Sequence, residues 1–85
     1  MRYKLFVGNL SWTATEKEVR ELFSQFGPIM QVVMPEHRTV PERNRGFCFV
    51  EFTEERGMNA ALDEHHELAI EGRPLTIQRA VPKKA

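Results

Sequence analysis

The chain has 85 residues, with 12 Lys+Arg against 12 Asp+Glu, 41% hydrophobic and 28% charged, which is the size of one small domain. No apolar run approaches the roughly 18 residues a membrane span needs, and a single cysteine, Cys48, with His37, His65 and His66, leaves no internal disulfide and no CxxC or HExxH zinc pattern. The net charge of zero also counts against nucleic acid, whose binders usually carry a basic surplus.

Tyr3 to Leu10 alternates as a strand does, with Leu5 and Val7 on one face and Lys4 and Phe6 on the other. After a loop from Asn9 to Ala14, Thr15 and Glu18 form a capping box, and Val19, Leu22, Phe23 and Phe26 recur at helical spacing. The first helix is therefore expected from about Glu16 to Phe26, stopped by Gly27 and Pro28. Ile29 to Met34 is apolar and β-branched enough for a second strand, closed by Pro35. Pro35 to Asn44 is polar, interrupted by proline and long for a hairpin, and reads as a mobile loop.

Gly46 to Phe52 is the clearest strand, with Phe47, Phe49 and Glu51 on one face and Cys48, Val50 and Phe52 on the other. Thr53 is the expected cap of a second helix, about Glu54 to Glu64, with Met58, Ala61 and Leu62 inward; Gly57 within it costs about 1 kcal/mol against alanine. Leu68 to Glu71 is short and extended, Gly72-Arg73-Pro74 turns the chain, and Leu75 to Arg79 is a last strand with Leu75 and Ile77 inward. The order β-α-β-β-α-β predicts an α+β fold of the ferredoxin-like type, a four-stranded antiparallel sheet with both helices packed on one face. There is no repeat and no low-complexity stretch. The whole, 1–85, reads as one domain with a core of about 4–81 and a short basic tail at 82–85.

If both helices cover one face, then Phe6, Phe47 and Phe49 look away from them. Burying each ring would stabilise the fold by roughly 1.5 to 3 kcal/mol, so leaving them outside asks for a reason. A third layer, a partner or the C-terminal tail over them is one. The other is stacking: every nucleobase has a π-face, and base–aromatic stacking contributes about 1 to 3 kcal/mol per base. Lys4, Arg43, Arg45 and Arg79 lie beside or at the ends of that face, where a phosphate chain would run.

The segment Leu5-Phe6-Val7-Gly8-Asn9-Leu10 resembles the RNP2 motif of RNA recognition motif (RRM) domains. Arg45-Gly46-Phe47-Cys48-Phe49-Val50-Glu51-Phe52 resembles their RNP1 octapeptide, K/R-G-F/Y-G/A-F-V-x-F/Y. The resemblance runs from about Lys4 to Val81. It looks closest to compact single-RRM proteins of bacteria and cyanobacteria and to chloroplast ribonucleoproteins, which Glu71-Gly72-Arg73-Pro74-Leu75-Thr76-Ile77 and the exit Ala80-Val81-Pro82-Lys83 also resemble.

The resemblance implies a non-catalytic binder of single-stranded RNA in processing, stability or translation control. Phe6 would stack the 5′ base of a bound dinucleotide and Phe49 the next, with Phe47 against the sugars. Arg45 would pair with the phosphate between them, for which a planar guanidinium is suited, and Lys4 would make a second phosphate contact. Gln78, facing the same way as the aromatics with Thr76, would reach base edges. Backbone and side chains from Arg79 through Lys83 to Lys84 would close over the RNA, Asn9 and Arg43 complete the set, and Val33 offers an apolar contact. Two departures stand out. Cys48 occupies a position usually Gly or Ala, and as an inward residue it acts as a small hydrophobe rather than a redox group. Asp63 to Leu68 replaces an Asn-Gly turn.

Other readings carry less. Trp12 is expected to plug the end of the core, and His65 and His66 to sit in a solvated turn, so no metal or other cofactor is expected. An RRM-fold protein-interaction module would typically lose the sheet aromatics that this chain keeps. An acylphosphatase-type enzyme would need a catalytic arginine in the first loop, which runs Gly8 to Thr15 without one. The expectation is therefore no enzymatic activity, no membrane association, a monomer, an intracellular and most simply cytoplasmic setting, single-stranded DNA as a second ligand, and protein contact through the acidic helix side. Charge by segment supports that division: residues 54–71 carry −5 and residues 72–85 carry +4. The expectation is acid on the helices and base around the sheet and tail.

Overall fold

In a computed structural model that describes residues 3–35, 39, 45–64 and 67–80, the first alternating run is β1 (Lys4–Gly8), with Leu5 and Val7 fully buried and Lys4 and Phe6 part-exposed. The capping box forms as expected: the Glu18 amide donates to Thr15 Oγ1 at 3.2 Å and the Thr15 amide to Glu18 Oε1 at 2.9 Å. It opens α1 (Glu16–Phe23), which buries Val19 and Phe23. The helix ends three residues before the expected Phe26. After the Ser24 amide bonds Arg20 O, the Phe26 and Gly27 amides reach back only three residues, to Phe23 O and Ser24 O. The chain tightens there into a turn, and Phe26 packs against the core from it.

β2 (Ile29–Val33) and β3 (Phe47–Phe52) are each one residue shorter than expected, and a bulge lies between Ile29 and Gln31. The second helix, α2 (Glu55–Asp63), starts without its expected cap. Thr53 instead binds Pro28 O, through its amide at 3.1 Å and its hydroxyl at 3.4 Å, so Glu54 occupies the cap position and makes no side-chain cap bond.

Gly57, which loses helix propensity, is required by packing. A Cβ there would come within 2.7 Å of Phe52 Cδ2, and a Cβ at Gly27 would stand 3.2 Å from the Gly57 Cα. The turn expected at Gly72-Arg73-Pro74 is displaced toward the N-terminus. β4 (Ala69–Ile70) and β5 (Arg73–Pro74) form a small hairpin whose two loop residues, Glu71 and Gly72, both have positive φ, the type I′ signature. β6 (Thr76–Arg79) follows, with Leu75 and Ile77 buried as expected.

The main sheet is antiparallel in the order β2-β3-β1-β6. Leu5 and Val7 of β1, Cys48, Val50 and Phe52 of β3 and Ile77 of β6 share one core with Val19 and Phe23 of α1 and Met58 and Ala61 of α2. Phe23 meets Phe52 edge-on at 6.5 Å. Both helices thus lie on the same face, the ferredoxin-like α+β arrangement, and β1 and β3, which carry the aromatic residues, occupy the centre of the sheet. Among the described residues no helix is long and apolar enough to cross a membrane. The expected loop at 35–44 and tail at 82–85, and the pair His65 and His66, fall largely or wholly outside the described residues.

Candidate nucleic-acid interface

Strand alternation and register together build the opposite face. The antiparallel pairs Phe6–Phe49, Lys4–Glu51 and Gly8–Phe47 set the aromatics of β1 and β3 side by side, and Gln78 and Thr76 of β6 pair with Phe6 and Gly8 on the same face. The three rings form a triangle. Phe6 lies 5.8 Å from Phe47 and nearly parallel to it, Phe6 lies 5.7 Å from Phe49 at a steep angle, and Phe47 meets Phe49 edge-on at 5.9 Å. These are favourable ring geometries. The triangle therefore holds its shape without a covering layer, each ring remaining partly exposed.

The cations bracket this triangle. Lys4 places Nζ 4.6 Å from the Phe49 ring centroid, a cation–π contact, and Arg45 is exposed just before Phe47 at the other end. Between them the expectation of a basic sheet needs correction. Glu51, opposite Lys4, is on the aromatic face yet only 5% exposed, and it accepts a hydrogen bond from Gln31 Nε2 at 2.9 Å. Alternation places Glu51 beside the phenylalanines, but nothing in the sequence pairs it with Gln31 across a bulged strand. Val33, paired with Phe49, is 41% exposed and extends the apolar surface toward the sheet edge.

Two expected contacts lie elsewhere. Arg79 pairs with Leu5, a fully buried residue, so its side chain leaves the sheet on the helix side, where Nη2 lies 3.9 Å from the Glu55 carboxylate of α2. The same alternation that puts Gln78 on the aromatic face assigns Arg79 to the other, so this was readable from sequence. Asn9 is a structural clamp. It adopts φ 60°, which asparagine tolerates. Its Nδ2 donates to Pro74 O at 2.6 Å, and Arg73 donates to its Oδ1 at 3.0 Å and its main-chain oxygen at 3.2 Å. Arg43 and Lys83 lie outside the described residues.

The β1–α1 loop is tied down a second time. Thr13 Oγ1 donates to Glu71 Oε1 at 2.7 Å and lies 3.0 Å from Ser11 Oγ. The Thr13 hydroxyl, with Ser11 behind it, holds the Glu71 carboxyl below its ordinary value. Trp12 between them does not plug the core. Leu10 and Ala14 on either side take the buried positions, and Trp12 is 54% exposed. Cys48 is fully buried among apolar groups, which pushes its thiol up to about 12, so it packs as a small hydrophobe. Among the described residues no group of three His, Cys, Asp or Glu side chains is placed to hold a metal ion.

Comparison with known proteins matches residues 5–76 to the RNA recognition motif family. A putative RNA-binding protein, RbpD, of Nostoc sp. is 38% identical over 80 residues, spanning 94% of this chain and 84% of that protein. Glycine-rich RNA-binding protein 10 of Brassica napus is 36% identical over 80 residues, and the 33 kDa chloroplastic ribonucleoprotein of Nicotiana sylvestris 38% over 81 residues. The chain spans 47% and 25% of the length of those two proteins. Among solved structures, the N-terminal RNA-binding domain of a hypothetical protein superposes with a TM-score of 0.87 at 31% identity, covering 99% of this chain and 84% of that one. The Rna15 RRM with bound RNA (GU) superposes at 0.84 and 19% identity, covering 100% of this chain and 89% of that one, a likeness of fold.

Proposed function

The chain belongs to the RNA recognition motif family, and on that premise we propose that its open sheet face binds single-stranded RNA, with no catalytic step and no cofactor. One observation carries the reading: three phenylalanine rings within 5.7–5.9 Å of one another on the face opposite both helices. Apolar surface of that kind is costly to leave in water unless a ligand covers it, and nucleobases supply the complementary π-faces.

Phe6 stacks one base, Phe49 the next, and Phe47 lies against the sugars. Arg45 takes the phosphate between them and Lys4 a second phosphate, each as a charge-assisted contact. Gln78, beside Phe6 on the outer face, reads a base edge. Arg43 and Lys83 complete the phosphate contacts, and the domain core runs over about 4–81. The chain acts as a monomer in post-transcriptional handling of RNA, single-stranded DNA being a weaker second ligand. Sorting charge by location supports stacking as the main source of affinity. Lys4 and Arg45 are offset on this face by Glu51, while Arg73 and Arg79 are engaged elsewhere.

The test is a titration of octaribonucleotides of each base against the wild-type chain and against Phe47→Ala/Phe49→Ala, with circular dichroism showing that the variant folds. Binding by the wild type and at least a hundredfold loss in the variant is expected. Equal binding by both, or none by the wild type, overturns the stacking mechanism.

A further inference from the structure

We infer that Trp12 is an additional stacking platform that extends the site beyond the dinucleotide on Phe6 and Phe49, an inference that rests on the RNA-binding reading above. Trp12 is the chain's single tryptophan. At 54% exposure it is one of three large apolar side chains that stand out from the described surface, with Met30 and Val33.

Its place is continuous with the aromatic face. The indole lies against Gly46, where a Cβ would stand 3.8 Å from Trp12 Nε1 and 3.9 Å from Cδ1. Gly46 joins Arg45, the expected phosphate contact, to Phe47, and its carbonyl accepts the Leu10 amide at 3.0 Å. Gly46 also holds φ +90°, a conformation that residues with a side chain rarely adopt. A strand of RNA leaving the phenylalanine triangle past Phe47 and Arg45 meets the indole next.

The loop that carries Trp12 is built to hold it in place. Asn9 is fastened to Pro74 and Arg73, and Ser11 and Thr13, its immediate neighbours, share a network that ends on Glu71. Five side chains of the loop and hairpin, Asn9, Ser11, Thr13, Glu71 and Arg73, are thus ordered around a side chain that is not itself buried. Ordering the loop in advance removes an entropic cost that binding would otherwise meet. A tryptophan presented this way offers the largest π-surface of any side chain to a base, and stacking tolerates any base.

The test uses homo-octaribonucleotides of each base and the dinucleotide UpU against the wild type, Trp12→Ala, Trp12→Phe and Phe47→Ala/Phe49→Ala. The octamers are expected to quench the Trp12 fluorescence and shift its indole N–H resonance, and UpU to shift Phe6 and Phe49 signals while leaving the indole unmoved. Trp12→Ala is expected to weaken octamer binding roughly tenfold and leave UpU binding unchanged, with Trp12→Phe recovering most of the loss. Octamer binding by Trp12→Ala at the wild-type level overturns the inference while leaving the triangle's role intact if the double phenylalanine variant still fails to bind. An equal loss for UpU and octamer also overturns it, because Trp12 then acts only by supporting the loop. Failure of the wild type to bind any octamer removes both readings.

Discussion

Lys4 and Glu51 sit directly opposite each other on β1 and β3, where Lys4 holds its ammonium 4.6 Å from the Phe49 ring centroid and Glu51 accepts from Gln31. The proposed RNA face thus carries a cation over the aromatic triangle and, at the same end, a carboxylate that would repel a phosphate. Repulsion between like unit charges in water is worth on the order of 0.6 kcal/mol at such a site, so Glu51→Gln is expected to raise affinity for an octaribonucleotide about threefold in low salt. Lys4→Ala is expected to lower it. Both effects shrink as salt rises, and fluorescence anisotropy across a salt series measures them. A loss of affinity in Glu51→Gln would place Glu51 among the groups that bind a base directly.

Arg45 and Arg79 should part company. Arg45→Ala is expected to weaken binding to all four homo-octamers alike and to flatten the dependence of log K on log salt by about one unit. Arg79→Ala, whose guanidinium faces Glu55 on the helix side, is expected to bind within twofold of wild type. An exposed pair of that kind contributes at most about 1 kcal/mol to stability, so the fold survives the change.

Gly57→Ala sets two effects against each other. Alanine gains about 1 kcal/mol of helix propensity, but its Cβ would come 2.7 Å from Phe52 Cδ2, at a ring that is fully buried and also packed on Phe23. Overpacking of that kind costs about 1 to 3 kcal/mol. A net destabilisation by urea denaturation is expected, with RNA affinity unchanged where the variant is folded.

Cys48 carries a pH signature. Its thiol is raised from 9.0 to about 12 by burial, so between those limits the unfolded chain gives up a proton that the folded chain keeps. Stability is therefore expected to fall as pH rises above about 9. The denaturation midpoint of wild type should decline more steeply from pH 9 to 11 than that of Cys48→Ala. The native thiol should also resist alkylation at pH 8, reacting only through unfolding.

Much of this was legible in the chain itself. Which residues share a face of a strand follows from the two-residue period of an extended backbone, so Leu5 and Val7 inward and Phe6, Phe47 and Phe49 outward needed no coordinates. The Thr15–Glu18 capping box is as local. Arg79 was within reach of the same rule, since it falls in phase with Leu75 and Ile77. What the sequence by itself determined was thus the list of elements, the split of each strand into two faces and the motif on β1 and β3. The tertiary structure alone decided what meets across those elements: Glu51 against Lys4 and Gln31, Gly57 under Phe52, and Asn9 bound by Arg73 from 64 positions along the chain. It also decided that Trp12 stands out of the core. Loops have no period to read, and register and close approach arise from packing between segments remote in sequence, so their partners exist only once the chain has folded.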